Sequence, residues 1–178
     1  MGQYCPDAVR TLMLLPLLAG CVTTTVPRPA DVPEPLRAPP GQVLSITLHA
    51  TGVQIYECKP SKDDGQRFDW QLRAPEAELL DQHRKAIGKH YAGPAWEAND
   101  GSKVVGEVVA RVNAPESTAI PWLLLRAISA TGQGMLGKTQ SIQRLHTVGG
   151  KAPAGGCDQS QSGALVRVPY SADYLFFR

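Results

Sequence analysis

GQGMLGKTQSIQRLHTV, residues 132–148, admits two readings that lead to different folds. The glycine spacing is that of a dinucleotide-binding loop. Such a loop needs a strand before the glycines and a helix after them, because the helix N-terminus supplies the partial positive charge and free N–H groups that hold a pyrophosphate. Here the glycines are followed by KTQSIQRLHTV, which alternates apolar and polar side chains with the period of a strand. No βαβ unit can be built around it, and no acidic residue closes the next strand. The glycines therefore read as a flexible hairpin tip, and the chain as one without a dinucleotide.

The same period extends outward on both sides. WLLLRAIS precedes the glycine loop. Upstream, PAWEA and KVVGEVVARV flank Asn99, Asp100, Gly101 and Ser102, and Asp-Gly between alternating runs is a strong hairpin signal. VLSITLHA alternates Leu44, Ile46 and Leu48 with Ser45, Thr47 and His49. Thr51 and Gly52 read as a turn into VQIYECK. FDWQLRA places Phe68, Trp70 and Leu72 on one face. AELL and KAIGKHY flank the turn DQHR, a hairpin preferred over a helix across EAELLDQHRKAI. ALVRVPY and YLFFR end the chain. The expectation is an all-β single domain: about ten short antiparallel strands in a β-sandwich or flattened barrel.

The first forty residues have a different character. Residues 11–19 are nearly all apolar, with Arg10 before them and small residues after, the layout of an export signal. The run is shorter than the roughly 20 residues of a membrane-spanning helix, and Pro16 interrupts it. Leu18, Ala19, Gly20 and Cys21 resemble the bacterial lipobox, which implies cleavage before Cys21 and acylation, as with palmitate, of its thiol and new amino terminus. Each buried CH₂ contributes roughly 0.8 kcal/mol, so several acyl chains would anchor almost permanently. Val22 rather than an acidic residue after Cys21 points to the outer membrane, facing the periplasm. The N-terminal Met-Gly fails as a myristoylation signal because Pro6 stands where Ser or Thr is required. Residues 22–40 hold six prolines and almost no large apolar side chain, which predicts an extended tether of about 60 Å. The expected organisation is a lipoprotein signal peptide at 1–20, a lipid-anchored Cys21 with a Pro-rich tether over 21–40, and a β-domain over 41–178.

The domain is long enough for a real core. A formal charge of +2 is too small to imply nucleic acid. Of four cysteines, Cys5 leaves with the signal and Cys21 takes the lipid. Cys58 and Cys157 would meet an oxidising compartment, where a disulfide is expected. It would contribute up to roughly 4.7 kcal/mol by closing a loop of about 100 residues. The competing reading is a metal site using both thiolates, for which no CxxC or HxxxH spacing exists. GxSxG, Walker and HExxH motifs are missing too, and the sequence gives no sign of a cofactor.

Several stretches taken together, VQIYEC, HYAGPAWEANDGSKVVG, AIPWLLL, IQRLHTVGG and VPYSADYLFFR, resemble the DUF3455 family of bacteria and fungi over residues 31–178. The resemblance implies no activity, substrate or catalytic residue. It implies that the family's cysteines correspond to Cys58 and Cys157, and many bacterial members carry export signals. The DQHR turn departs from it, being charged where a glycine turn is expected.

The densest polar cluster is KHYAGPAWEANDGSK. His90 could exchange protons near neutral pH, with Glu97 orienting it. Tyr91 and Trp96 could stack on a sugar or another flat ligand, and Asp100 stands beside them. The plainer readings compete: Trp96 as core, Asp100 as a turn residue, His90 as a half-buried strand histidine. His146 shares the parity of Ile142 and Val148 and reads as core; His49 and His83 read as solvated. Two functions follow. One is a lipid-anchored envelope domain, binding or structural, with a glycan, lipid or protein as partner. The alternative is an envelope hydrolase using His90 and Glu97.

Overall fold

The computed structural model describes residues 32–178, so the expected signal peptide, Cys21 and the first part of the tether lie outside the described residues. Eight antiparallel strands form one sheet: β1 Leu44–Pro60, β2 Phe68–Leu80, β3 Ala86–Tyr91, β4 Ala95–Ala98, β5 Lys103–Val112, β6 Trp122–Thr131, β7 Ser141–Gly149 and β8 Leu165–Phe177. Each pairs with the next, and β1 pairs with β8, so the sheet closes into a barrel. Among the described residues, no helix is long and apolar enough to cross a membrane.

Eight strands replace the expected ten or so because three pairs of short runs are single strands. Thr51 and Gly52 do not turn the chain. β1 runs straight through them, with Gly52 paired to Ala77 on one side and Tyr170 on the other. A Cβ on Gly52 would lie 2.1 Å from the Glu76 carbonyl oxygen. The glycine is there for close backbone approach rather than for a turn. Pro75 likewise lies inside β2 and Pro169 inside β8.

Alternation decides what faces inward. Leu48 and Ala50 of β1, Leu79 of β2, Trp96 of β4, Leu125 of β6, Ile142 of β7 and Phe176 of β8 fill the interior with their neighbours. A second, smaller cluster lies outside the barrel wall. Leu124, Leu145 and Leu175 point outward there and are covered by Val32 and by Leu36, the last residue of a short 3-10 turn at Glu34–Leu36. The Gln143 side-chain amide donates to the Leu36 carbonyl at 2.6 Å. This corrects the expectation that the tether runs to residue 40. Val32 and Leu36 are enough to strap its last part to an apolar strip, so the folded unit includes Val32.

Cys58 and Cys157 are joined in a disulfide, with Cα atoms 6.1 Å apart. It ties the end of β1 to the segment before β8. Trp70 Nε1 donates to the Gly156 carbonyl beside it at 2.6 Å.

Candidate functional site

The hairpin β3–β4 is much shorter than the strands flanking it. β3 pairs with β2 only over Ala77–Leu80, and β4 pairs with β5 only over Lys103–Val105. The rest of β2 and of β5 each have a strand on one side only. The barrel wall therefore has a slot between two unpaired edges. Leu72 pairs with inward-facing Tyr56, and Val108 with inward-facing Leu125. Directly paired residues share a face, so both should be buried. They are 57% and 45% exposed, because no strand covers them.

Behind the slot is a cavity of about 280 Å³. Leu72, Pro75, Pro94, Val108 and Leu123 give it apolar walls. Its polar lining comes from Gln54, Trp96, Tyr174 and three arginines, Arg73, Arg111 and Arg144, with no carboxylate. Arg111 and Arg144 both pair with inward-facing Leu123, and Arg144 also pairs with Tyr174, so the two guanidinium groups are carried on the inner face. The Arg144 Nε and Nη2 donate to the Pro121 carbonyl at 3.1 and 2.8 Å. Gln54 Nε2, Trp96 Nε1 and the Tyr170 and Tyr174 hydroxyls are buried without a close hydrogen-bond partner among the described residues, although Tyr170 has Gln54 and Tyr174 beside it and Tyr174 has Arg144. Burial pushes the Tyr170 and Tyr174 hydroxyls up from their ordinary value, with Arg144 pulling the other way. Both stay neutral donors at physiological pH.

Of the five residues singled out in the sequence, four divide between the two faces of the wall and the fifth, Asp100, lies in a turn. His90 pairs with Trp96, and both face inward. Their rings stack with centroids 4.6 Å apart, and Tyr174 lies against both. His90 is 2% exposed. Its Nδ1 is 2.9 Å from the Ala95 carbonyl, which fixes Nδ1 as the protonated nitrogen. Burial is the main cause that pushes its pKa down to about 3. Trp96 is 1% exposed and offers no face for a sugar. Tyr91 and Glu97 lie outside: the Tyr91 hydroxyl donates to Glu97 at 2.6 Å, and Lys89 pairs with the same carboxylate. Those contacts, the Tyr91 hydroxyl first, hold the Glu97 carboxyl below its usual range. Glu97 therefore does not orient His90; the Ala95 carbonyl does.

Asp100 sits in the turn between β4 and β5, and its carboxylate docks the glycine loop. Its carboxylate accepts from Ser102 N and Oγ and from Met135 N, while Leu136 N donates to Ser102 Oγ. A Cβ on Gly134 would sit 2.2 Å from that carboxylate. One amide of GQGMLG, that of Met135, does meet an anion, but it is the chain's own.

His146 is corrected from core to surface. A bulge between Leu145 and Val148 turns it out, with φ of 48°. Its Nδ1 and that of His49 each lie 2.9 Å from one oxygen of Asp173. Among the described residues no group of three or more His, Cys, Asp or Glu is arranged to hold a metal ion. Arg111, Arg144 and Gln54 went unnoticed in the sequence. The available signal was a charged or amide side chain on the apolar parity of a strand, as in Ile142–Arg144 or Gln54–Tyr56.

A larger open trough of about 640 Å³ lies outside β1–β3. Glu76 pairs with Arg167 and Lys89 with Glu97, and the remaining charged group of its lining, Glu78, is exposed, so it demands less of a ligand.

A family model described as a protein of unknown function (DUF3455) matches residues 39–178. No curated protein and no solved structure matches.

Proposed function

The chain belongs to the DUF3455 family, and from that premise we propose that this member is a lipid-anchored protein of the bacterial cell envelope whose barrel binds a small molecule. The slot and the cavity behind it carry the binding reading. The interior of an eight-stranded barrel is either filled by its own side chains or has room for one small ligand. Here it is left partly open, walled by apolar groups and supplied with a few converging polar ones, as small-molecule sites are. The separation of His90 from Glu97 by the barrel wall favours binding over hydrolysis. The anchor rests on the sequence alone: the apolar run, the Leu-Ala-Gly-Cys motif ending at Cys21, and Val22 behind it for the outer membrane.

The two parts are tested separately. Metabolic labelling with a palmitate analogue should mark the protein in the membrane fraction, and Cys21→Ser should release it unlabelled. Labelling that survives Cys21→Ser would remove the anchor. For the cavity, a thermal-shift screen against sugars, lipids, organic acids and envelope fragments should give a hit. A ligand at 100 times its dissociation constant adds roughly 2.7 kcal/mol. Val108→Trp, on the inner face at the slot, should abolish that hit. Hits indifferent to Val108→Trp, or none at all, would overturn the cavity as the site.

A further inference from the structure

Resting on the cavity as the ligand site, we infer that its ligand is a small amphiphile with an oxyanion head, a carboxylate or phosphate monoester, held by Arg144 and Arg111. Charge is the first argument. Three arginines line the cavity and no Asp or Glu does. None of the three is in an ion pair among the described residues. Arg73 and Arg111 are exposed and Arg144 is half-buried, so the cost of a guanidinium without a counter-charge falls on Arg144, and an oxyanion entering by the slot supplies one.

Geometry is the second argument. Arg144 spends two of its N–H donors on the Pro121 carbonyl. That holds the guanidinium in place and leaves the remainder of its five donors for a ligand. Arg111 stands beside it across Leu123, in the same cross-strand row. A planar fork fixed in advance matches a carboxylate or phosphate better than a mobile ammonium would.

Size and walls give the rest. An engineered cavity of 150 Å³ holds benzene, so 280 Å³ suits a ligand of about eleven heavy atoms by that scale. Leu72, Val108 and Pro75 at the slot would contact its apolar body, while the head reaches inward.

Calorimetry on the purified protein with 3-phenylpropanoate, 2-phenylethyl phosphate and 3-phenylpropanamide tests this. At least one anion should bind tenfold or more tightly than the amide, and the margin should shrink in high salt. Carboxylate alone or phosphate alone would each support the inference and identify the source. Arg144→Gln should erase the margin. Because Arg144 also holds Pro121, Arg111→Gln is run beside it; Arg111 is exposed, so this variant should keep its melting temperature and still lose most of the margin. An amide that binds as tightly as the anions overturns the oxyanion and leaves the cavity standing. A margin that persists in both variants overturns the arginines. Failure of all three probes overturns this ligand class, and the wider screen with Val108→Trp then decides the cavity itself.

Discussion

His90 shows how strongly burial governs a titratable side chain. An exposed imidazole protonates near pH 6.5, whereas His90 in the barrel stays neutral down to about 3. Between those values the unfolded chain binds a proton that the folded chain refuses. Stability is therefore complete above pH 6.5 and falls as the pH drops toward 3. The loss is on the order of a few kcal/mol by pH 4. Urea unfolding at pH 7, 6, 5 and 4 should show this slope, and His90→Phe should flatten it; parallel slopes in the two proteins would contradict the assignment. Arg84 is the other residue whose conformation has a measurable consequence. In the DQHR turn the Asp81 carboxylate accepts from His83 N and Lys85 N, and Arg84 is left at φ 63°. A non-glycine residue there is strained by roughly 1–2 kcal/mol. Part of any gain from glycine returns as entropy of the unfolded chain. Arg84→Gly should raise stability by up to about 1 kcal/mol, read from the same urea curves. The departure seen in the sequence at this turn thus becomes backbone strain at one residue.

At the scale of elements, the glycine at position 52 separates what the sequence could say from what it could not. Alternation identified nearly every strand segment, because each strand buries one face. It could not say which segments join, since a glycine for a turn and a glycine for close approach look alike in one dimension. Only the approach of β2, with the Glu76 carbonyl 2.1 Å from a would-be Cβ, distinguishes them. Gly52→Ala should cost about 1–3 kcal/mol, as overpacking does, and more if β1 cannot shift. An alanine variant as stable as the parent would restore the turn reading. The prolines carried a usable signal that was missed. Pro75 lies in β2 beyond the reach of β3, and Pro169 lies in β8 beyond the end of β7. Proline in a sheet marks an edge, so Pro75 marks one side of the slot. The bulge that sends His146 outward left no such trace. Ile142, Arg144 and His146 share a parity, and the bulge is set by how β7 meets β8.

The whole molecule is held closed by contacts between residues far apart in sequence. The Cys58–Cys157 bridge spans 99 residues, and by loop length its removal should cost about 2–5 kcal/mol. Urea midpoints of the oxidised protein and a Cys58→Ala, Cys157→Ala variant measure that; equal midpoints would leave the bridge without a stabilising role. The strap makes a similar demand from the other end of the chain. Leu36 is fully buried, which is worth about 1.5–3 kcal/mol. Without it, Gln143 loses the partner of its buried amide, a further 1–3 kcal/mol or so. A chain beginning at Gly41 should therefore be less stable than one beginning at Val32 by roughly 3–5 kcal/mol. Equal stability would return residues 32–40 to the tether. If the difference appears, only ten residues, 22–31, separate Cys21 from the strap, a reach of about 35 Å at full extension. A barrel anchored at Cys21 would then work within about its own diameter of the membrane surface, where a small amphiphile is concentrated.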